Sequence, residues 1–124
     1  MFLKGDRRQL TYADAVEEAD FVIAATGNVE AVTGDAFARL KDGVVLANAG
    51  HHDREVDVPS LREQADDERE VRPGVKRFTL GGRRIHVCVD GALVNIAGGD
   101  GNPVEIMDLS FSVQALSVHH LASG

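Results

Sequence analysis

The sequence predicts an α/β fold that contains a doubly wound parallel sheet, a β-hairpin and a long carboxyl-terminal helix. Three observations predict it. Two short apolar runs flank a helical segment within roughly thirty residues, a Gly-Gly pair separates two strand-like segments, and the last part of the chain has apolar residues at helical spacing. The chain has 124 residues, of which 44% are hydrophobic, so it can bury one core and we expect one domain or a piece of a larger one.

The first part of the chain predicts two helices alternating with two strands. Thr11 and Asp14 resemble a capping box, which predicts a short helix ending near Ala19. The runs DFVIAATGN and GVVLANAG are apolar and stop at small residues and a glycine, which is typical of buried strands with a loop at the carboxyl end. A second helix is expected from Asp35 to Leu40. Strand, helix, strand at this spacing indicates a parallel βαβ unit whose strands are covered on both faces.

The middle of the chain has a different character. The charge run REQADDEREVR predicts a solvated helix end or a surface loop. KRFTL and RRIHVCV flank Gly81-Gly82, and two glycines supply the positive φ angles that a two-residue hairpin turn requires. The segment ALVNIA, after a turn at Asp90-Gly91, is predicted to be a third short strand.

From Val104 to about Leu121 the pattern predicts a long helix buried over much of its girth. Apolar residues recur at three and four along one stripe, with a second apolar stripe beside it; the two stripes are Ile106, Leu109, Val113 and Leu116, and Met107, Phe111, Ala115 and Val118. The preceding GGDGNP lacks the spacing of a phosphate loop or of a dinucleotide fingerprint, so we interpret it as a turn with Pro103 at the first helical position.

Composition argues against several classes of partner. The net charge is −7, from 13 basic and 20 acidic residues, and no basic stripe suits a nucleic acid. No apolar run approaches the length of about 18 residues needed to span a membrane, and no secretion signal is recognisable, so a cytoplasmic location is expected and a membrane is not. The single cysteine, Cys88, lies in an apolar stretch and is expected to be a small buried residue without a chemical role.

Candidate ligand-binding residues lie at the predicted strand ends. Thr26-Gly27-Asn28 follows the first strand, and Asn48 to His51 follows the second. Ligands of open parallel sheets bind outside the carboxyl ends of the strands, and glycine there permits close approach to the backbone. Spacing alone leaves open that these glycines are only turn residues.

The histidine pairs do not predict a metal site. His51-His52 and His119-His120 are sequence neighbours, whose side chains usually point apart. The second pair is expected on the surface near a helix end. His51, beside Gly50 and near several carboxylates, is the better functional candidate, since an imidazole there can exchange protons or control access.

Several motifs together resemble one enzyme family. These are TGN, KDGVVLANAGHHDREVDV, GGRRIHV and GALVNIAGGDGNPVEIMDLSFSVQAL. They resemble, in the same order, the second half of the adenosylhomocysteinase (S-adenosyl-L-homocysteine hydrolase) family, and are most similar to its archaeal and related bacterial members. The resemblance implies a partial Rossmann-like NAD-binding fold. Residues 1–103 would be the second half of the NAD-binding domain, and residues 104–124 a helix that in the family returns to the substrate domain and packs between subunits.

The family chemistry is an NAD-dependent cleavage of a thioether. NAD oxidises the ribose 3′-hydroxyl of S-adenosylhomocysteine, and the resulting ketone acidifies the 4′ C–H. Homocysteine is then lost, water adds, and return of the hydride gives adenosine.

The resemblance assigns roles to residues of this chain. His51 would be the gate histidine and a possible acid/base catalyst. His52 stands where the gate normally has phenylalanine, and Asn102 replaces a histidine beside the adenine. Glu55 and Asp57 are interpreted as structural acceptors that fix the loop. The implied cofactor-binding residues are Thr26, Gly27, Asn48, Ala49, Gly50, His51 and Asn95, and the implied substrate-adjacent residues are His52, Asn102, Met107 and Phe111.

The substrate domain and the glycine fingerprint of the family have no counterpart in this sequence, so we expect the isolated chain to be inactive. It would assemble as a homo-oligomer or pair with a chain that carries the missing half. One alternative is a non-catalytic NAD-binding or assembly module derived from the family. Another is half of a 2-hydroxy-acid dehydrogenase domain, which does not explain GHHD and NPVEIMD together.

Overall fold

The computed structural model describes residues 12–123, with side chains from residue 14 onwards. The predicted capping residue Thr11 lies outside this range. The helices are α1 (Tyr12–Glu18), α2 (Gly34–Phe37), α3 (Val58–Gln64), α4 (Val94–Ala97) and α5 (Val104–Ser123). The strands are β1 (Phe21–Ala24), β2 (Val45–Asn48), β3 (Asp67–Arg72), β4 (Val75–Leu80) and β5 (Arg83–Cys88). The predicted α/β class is confirmed.

The five strands form one sheet in the order β1-β2-β5-β4-β3. β1, β2 and β5 run parallel, and β4 and β3 extend the sheet in antiparallel fashion. The predicted βαβ unit is confirmed, since β1 and β2 are parallel neighbours with Phe21 beside Val45 and Ala24 beside Asn48. The carboxyl ends of β1 and β2 therefore meet at the same edge of the sheet.

The predicted β4–β5 hairpin is confirmed. Gly81 and Gly82 link the two strands and have φ angles of +55° and +79°. A two-residue turn with positive φ at both central positions matches the twist of the strands it joins.

The charge run is not a loop along its whole length. Arg62 to Gln64 end helix α3, as expected, but Asp67–Arg72 is strand β3, paired with β4 on the outer edge of the sheet. All six residues of β3 are exposed. Pairing with β4 satisfies one side of the backbone, and charged side chains are common on an edge strand that faces solvent. The pattern of polar residues therefore concealed a strand.

The prediction that the segment ALVNIA is a strand is wrong. Only Leu93 pairs with the sheet, as an isolated bridge to Asn48, and α4 begins at the next residue. The chain leaves β5 through Val89 and Asp90, both in the left-handed region with φ of +43° and +56°. This turn redirects the chain, so its apolar residues enter a short helix instead of extending the sheet.

The core lies between one face of the sheet and helices α1 to α3. Most of the largest fully buried side chains are apolar and belong to one cluster, which includes Phe37, Leu46, Leu61, Phe78 and Ile85. The prediction that the first strand is covered on both faces is wrong in this chain. Phe21 and Ile23 of β1 are 71% and 64% exposed, because the described helices pack against the opposite face.

Helix α5 occupies the predicted range, but its predicted burial is wrong. None of its residues is buried, and only Met107 is half-buried, because no other described element covers it. Its exposed apolar residues include Ile106, Leu109, Phe111, Val113, Leu116 and Val118. Among residues 12–123 no helix combines the length and the hydrophobicity that a membrane span requires.

Candidate functional site

The predicted ligand-binding residues of β1 and β2 lie side by side. The amide of Ala49 donates to the carbonyl of Ala24 at 2.8 Å, which continues the parallel pairing beyond the end of β2. The segment from Thr26 and the segment from Ala49 to His51 thus leave the sheet next to each other. The structure brings these two predicted segments together, whereas their contacts to a cofactor stay predictions.

One buried carboxylate joins the two segments. Glu55 is fully buried. Its Oε2 accepts hydrogen bonds from the amide and the hydroxyl of Thr26 at 2.8 and 3.0 Å. Its Oε1 accepts from the amides of Gly27 and His51 at 3.0 and 2.7 Å, and more weakly from His52 at 3.5 Å. The interpretation of Glu55 as a structural acceptor is confirmed, and its donors come from both strand ends.

These hydrogen bonds keep Glu55 ionised. The N–H of His51 lowers the pKa of the carboxyl most, burial acts in the opposite direction, and the bonds from Thr26 and His52 lower it further, to about 2. Donors that point at a carboxylate stabilise its charged form. At neutral pH the two strand ends are therefore held together by a negative charge.

Acid should loosen this connection. The pKa of Glu55 is about 2 in the folded chain against an ordinary value of 4.5, so its contribution to stability is complete above pH 4.5 and is lost as the pH falls towards 2. We expect the free energy of unfolding of the wild type to fall more steeply across this window than that of Glu55→Gln, measured by denaturant titration at each pH.

The comparison for this experiment is Asp42→Asn, a change at a second carboxylate far from the strand ends. Hydrogen bonding from Arg84, near the start of β5, lowers the pKa of Asp42, so this carboxylate also contributes to the pH dependence of stability. Its effect on the pH dependence should add to that of Glu55→Gln. Parallel pH profiles for the wild type and Glu55→Gln would contradict the prediction.

Asn48 makes a second connection beneath the strand ends. Its side chain is fully buried, and its Nδ2 donates to the carbonyls of His52 and Gly91 at 2.5 and 3.0 Å. Its Oδ1 accepts from the amide of Gly50 at 2.9 Å. These bonds tie the His51-His52 loop to the turn before α4. The cofactor role of Asn48 stays a prediction, and within the described chain its amide group acts as a positioning group.

The two glycines at the strand ends are required for different reasons. Gly27 has a φ of +73°, and a Cβ there would have no heavy atom within 4 Å, so the space above it is open. Gly50 has no positive φ, but a Cβ there would lie 2.5 Å or less from three atoms of the Glu55 carboxyl group. Gly50 therefore makes room for the buried carboxylate, and Gly27 leaves room for a ligand.

The rings of His51 and His52 do not point apart as expected. They contact each other edge to face, with centroids 5.3 Å apart and an interplanar angle of 89°. Both side chains are exposed at the loop tip. In the described part of the chain no group of three or more His, Cys, Asp or Glu side chains is arranged to hold a metal.

The remaining predicted residues follow β5 in the sequence, after the turn at Val89 and Asp90. Asn95 is exposed on α4, which the Leu93–Asn48 bridge brings to the end of β2. Asn102 is exposed in the glycine-rich segment before α5, and Met107 and Phe111 lie on α5 itself. The structure thus brings Asn95 to the same edge as the strand ends. It does not test the substrate contacts predicted for the other three.

Comparisons with known proteins agree with this geometry. Residues 6–101 match the family model of S-adenosyl-L-homocysteine hydrolase, NAD binding domain. The chain is 44% identical over 93% of its length to S-inosyl-L-homocysteine hydrolase of Methanosarcina mazei. It is 47% and 49% identical, over 90% and 87% of its length, to adenosylhomocysteinases of Sulfolobus acidocaldarius and Thermotoga maritima. The matched segments are 28%, 27% and 27% of the lengths of these relatives.

Proposed function

Because the chain belongs to the S-adenosyl-L-homocysteine hydrolase family, through its NAD-binding domain, we propose that it supplies part of the NAD site of an adenosylhomocysteinase. NAD is the cofactor of this domain. The observation that supports the proposal best is the pair of strand ends joined by Glu55 at the carboxyl edge of the sheet. A half-domain from a 2-hydroxy-acid dehydrogenase is no longer favoured.

The residues at this edge fit a dinucleotide. The open space above Gly27 lets a flat ring approach the backbone, and the exposed Asn95 side chain makes no hydrogen bond within the described chain. Asn95 would hold the nicotinamide carboxamide, and the backbone at Thr26, Ala49 and Gly50 would line the cofactor. When bound, NAD would supply oxidation of a ribose hydroxyl and later return of the hydride.

The gate and the substrate contacts are part of the proposal. His51 would control access at the loop tip and would exchange a proton near the leaving sulfur, with His52 packed against it. The relatives are named both adenosylhomocysteinase and S-inosyl-L-homocysteine hydrolase. We propose adenine as the base, with Asn102, Met107 and Phe111 near it, and hydrolysis assays of the assembled enzyme with both thioethers would distinguish it from hypoxanthine.

The first experiment is a calorimetric titration of the chain with NAD. We expect saturable binding that Asn95→Ala weakens at least about tenfold, because a hydrogen-bonded amide that aligns a ligand contributes about 1.4 kcal/mol or more. Gln64→Ala on α3, which removes another exposed amide, is the matched control. Equal affinities of Asn95→Ala and Gln64→Ala would contradict the role of Asn95. Absence of binding by a folded wild type would favour the alternative of a non-catalytic assembly module.

Assembly is proposed from two exposed apolar surfaces. One is the sheet face of β1 that the helices leave uncovered, with Phe21 and Ile23, and the other is α5. The edge of β1, which is free in the described residues, offers backbone groups to a further strand. Helix α5 exposes large apolar side chains on more than one side, and such a surface is normally covered. The chain would therefore form a homo-oligomer or pair with the half that carries the glycine fingerprint, with α5 between subunits or against the substrate domain. A cytoplasmic location is part of the same proposal.

Light scattering at micromolar concentration tests the assembly. We expect the purified chain to be a dimer or larger, since an apolar surface of this extent is rare on a monomer. Leu116→Glu on α5 should shift the distribution towards the monomer, whereas Ser110→Glu on the same helix, the charge-matched control, should shift it less. A monomeric wild type would count against self-association.

A further inference from the structure

Four hydrogen-bond donors from the two strand ends converge on one point. They are the amides of Thr26, Gly27 and His51 and the hydroxyl of Thr26, all within 3.0 Å of the Glu55 carboxylate. Converging backbone N–H groups form a concavity that binds anions, and phosphates of nucleotides use such sites. In this chain the concavity already holds an anion, which is the protein's own buried carboxylate. We name these four donors, with Glu55 inside them, the filled anion site.

The filled anion site has different consequences for the pyrophosphate and for the nicotinamide of a dinucleotide. A phosphate group that approached these strand ends would find the donors used and would face a negative charge. The oxidised nicotinamide ring carries a positive charge, which the same carboxylate attracts, and the reduced ring is neutral. Arg54 in the same loop forms an ion pair with Glu30 at 3.4 Å and makes no hydrogen bond to Glu55.

We propose that Glu55 is a positioning residue that decides which part and which redox form of NAD this edge of the sheet binds. The filled anion site keeps phosphate away and favours the cationic oxidised nicotinamide over the neutral reduced one. This inference rests on the proposed function, and it adds an electrostatic role to a residue that otherwise only fixes a loop.

The first test compares the dissociation constants of NAD in its oxidised and reduced forms, by calorimetry, for the wild type and Glu55→Gln. Glutamine keeps the shape and removes the charge. We expect the preference for the oxidised form to fall about tenfold in Glu55→Gln, the size of effect that one nearby charge produces in a medium of intermediate dielectric. Equal loss for both forms would show a merely structural role and would overturn the inference.

Asp57→Asn is the control. Asp57 lies two residues away and accepts the amide of Ser60 at 3.2 Å as the cap of α3, a role that asparagine also performs. It undergoes the same change of charge without touching the filled anion site, so the preference should stay as in the wild type. Binding of neither form by the wild-type chain would contradict the proposed function instead.

A second test does not depend on the cofactor. Glu55→Ala empties the anion site, so sodium formate should raise its Tm more than sodium chloride at equal concentration, while Asp57→Ala should show no difference. If formate has no specific effect on a folded Glu55→Ala, the four donors do not form an anion site and the inference is overturned.

Should Glu55→Ala fail to fold even in formate, the amide resonances of Thr26, Gly27 and His51 in the wild type are followed during titration with inorganic pyrophosphate. They are expected to stay unchanged, and saturable shifts would overturn the inference.

Discussion

Gly50→Ala is expected to lower the stability of the chain by about 3 kcal/mol and to abolish measurable NAD binding. The added Cβ would overlap the carboxyl group of Glu55. The carboxylate would have to leave its place, and the amides of Thr26, Gly27 and His51 would lose their acceptor inside the protein. The two strand ends would then separate, which removes the surface on which we place the cofactor.

Thermal unfolding and calorimetry measure both effects. Gly99→Ala is the matched control, because a Cβ there would meet only ordinary contacts, at 3.7 Å from the carbonyl oxygen of Asn95. Its stability should stay within about 1 kcal/mol of the wild type. If Gly50→Ala were as stable as Gly99→Ala, the close approach of Gly50 to Glu55 would not exist in solution.

Asn48→Asp is expected to be the other severe substitution, with a loss of about 3–5 kcal/mol. It exchanges a donor for an acceptor in a fully buried position. The new carboxylate would face the carbonyl oxygens of His52 and Gly91, which the Asn48 amide now holds at 2.5 and 3.0 Å. Neither protonation nor rotation of the side chain can restore both bonds. The loop and the turn before α4 would lose their common support, and NAD affinity should fall with them.

Asn28→Asp makes the same chemical change at an exposed position of the neighbouring strand end. We expect it to alter the free energy of unfolding by less than about 0.5 kcal/mol. The comparison is made by urea denaturation at neutral pH, where both aspartates are fully charged in the unfolded chain. A small effect of Asn48→Asp would mean that the buried amide is not a support of the site.

Local patterns predicted the elements that depend on local information. The apolar runs of β1 and β2 end at glycines, Gly81-Gly82 supplies the φ angles of its turn, and the spacing of α5 indicates its length. Strand β3 could not be predicted in this way, because five of its six residues are charged and only its pairing with β4 makes it a strand. The ALVNIA segment misled in the opposite sense, since an apolar segment enters a helix after a turn that composition does not reveal.

The candidate site shows the same division. The position of the strand ends and the acceptor role of Glu55 could be predicted from the sequence. Its donors could not, because Thr26 and Gly27 lie 29 and 28 residues away along the chain. The sequence predicts Asn48 at the end of β2, but its bond to Gly91, 43 residues away, depends on the parallel pairing of β5 with β2. The predicted burial of α5 is wrong for a similar reason, since the spacing of its apolar residues indicates a helix but does not show whether another element of the described chain covers it.

The position of Asn95 on α4 depends on the turn at Val89 and Asp90, and the stability of this turn depends on the ionic strength of the solution. A β-branched residue in the left-handed region costs about 1–3 kcal/mol. The side chain of Asp90 offsets part of this strain through ion pairs with Arg62 on α3 and Lys76 on β4, at 3.0 and 3.1 Å. These pairs are half-exposed, so dissolved salt screens them. Added electrolyte therefore weakens the ion pairs that support the turn before α4, so the position of Asn95, and with it the contact that we propose for this residue, depends on salt.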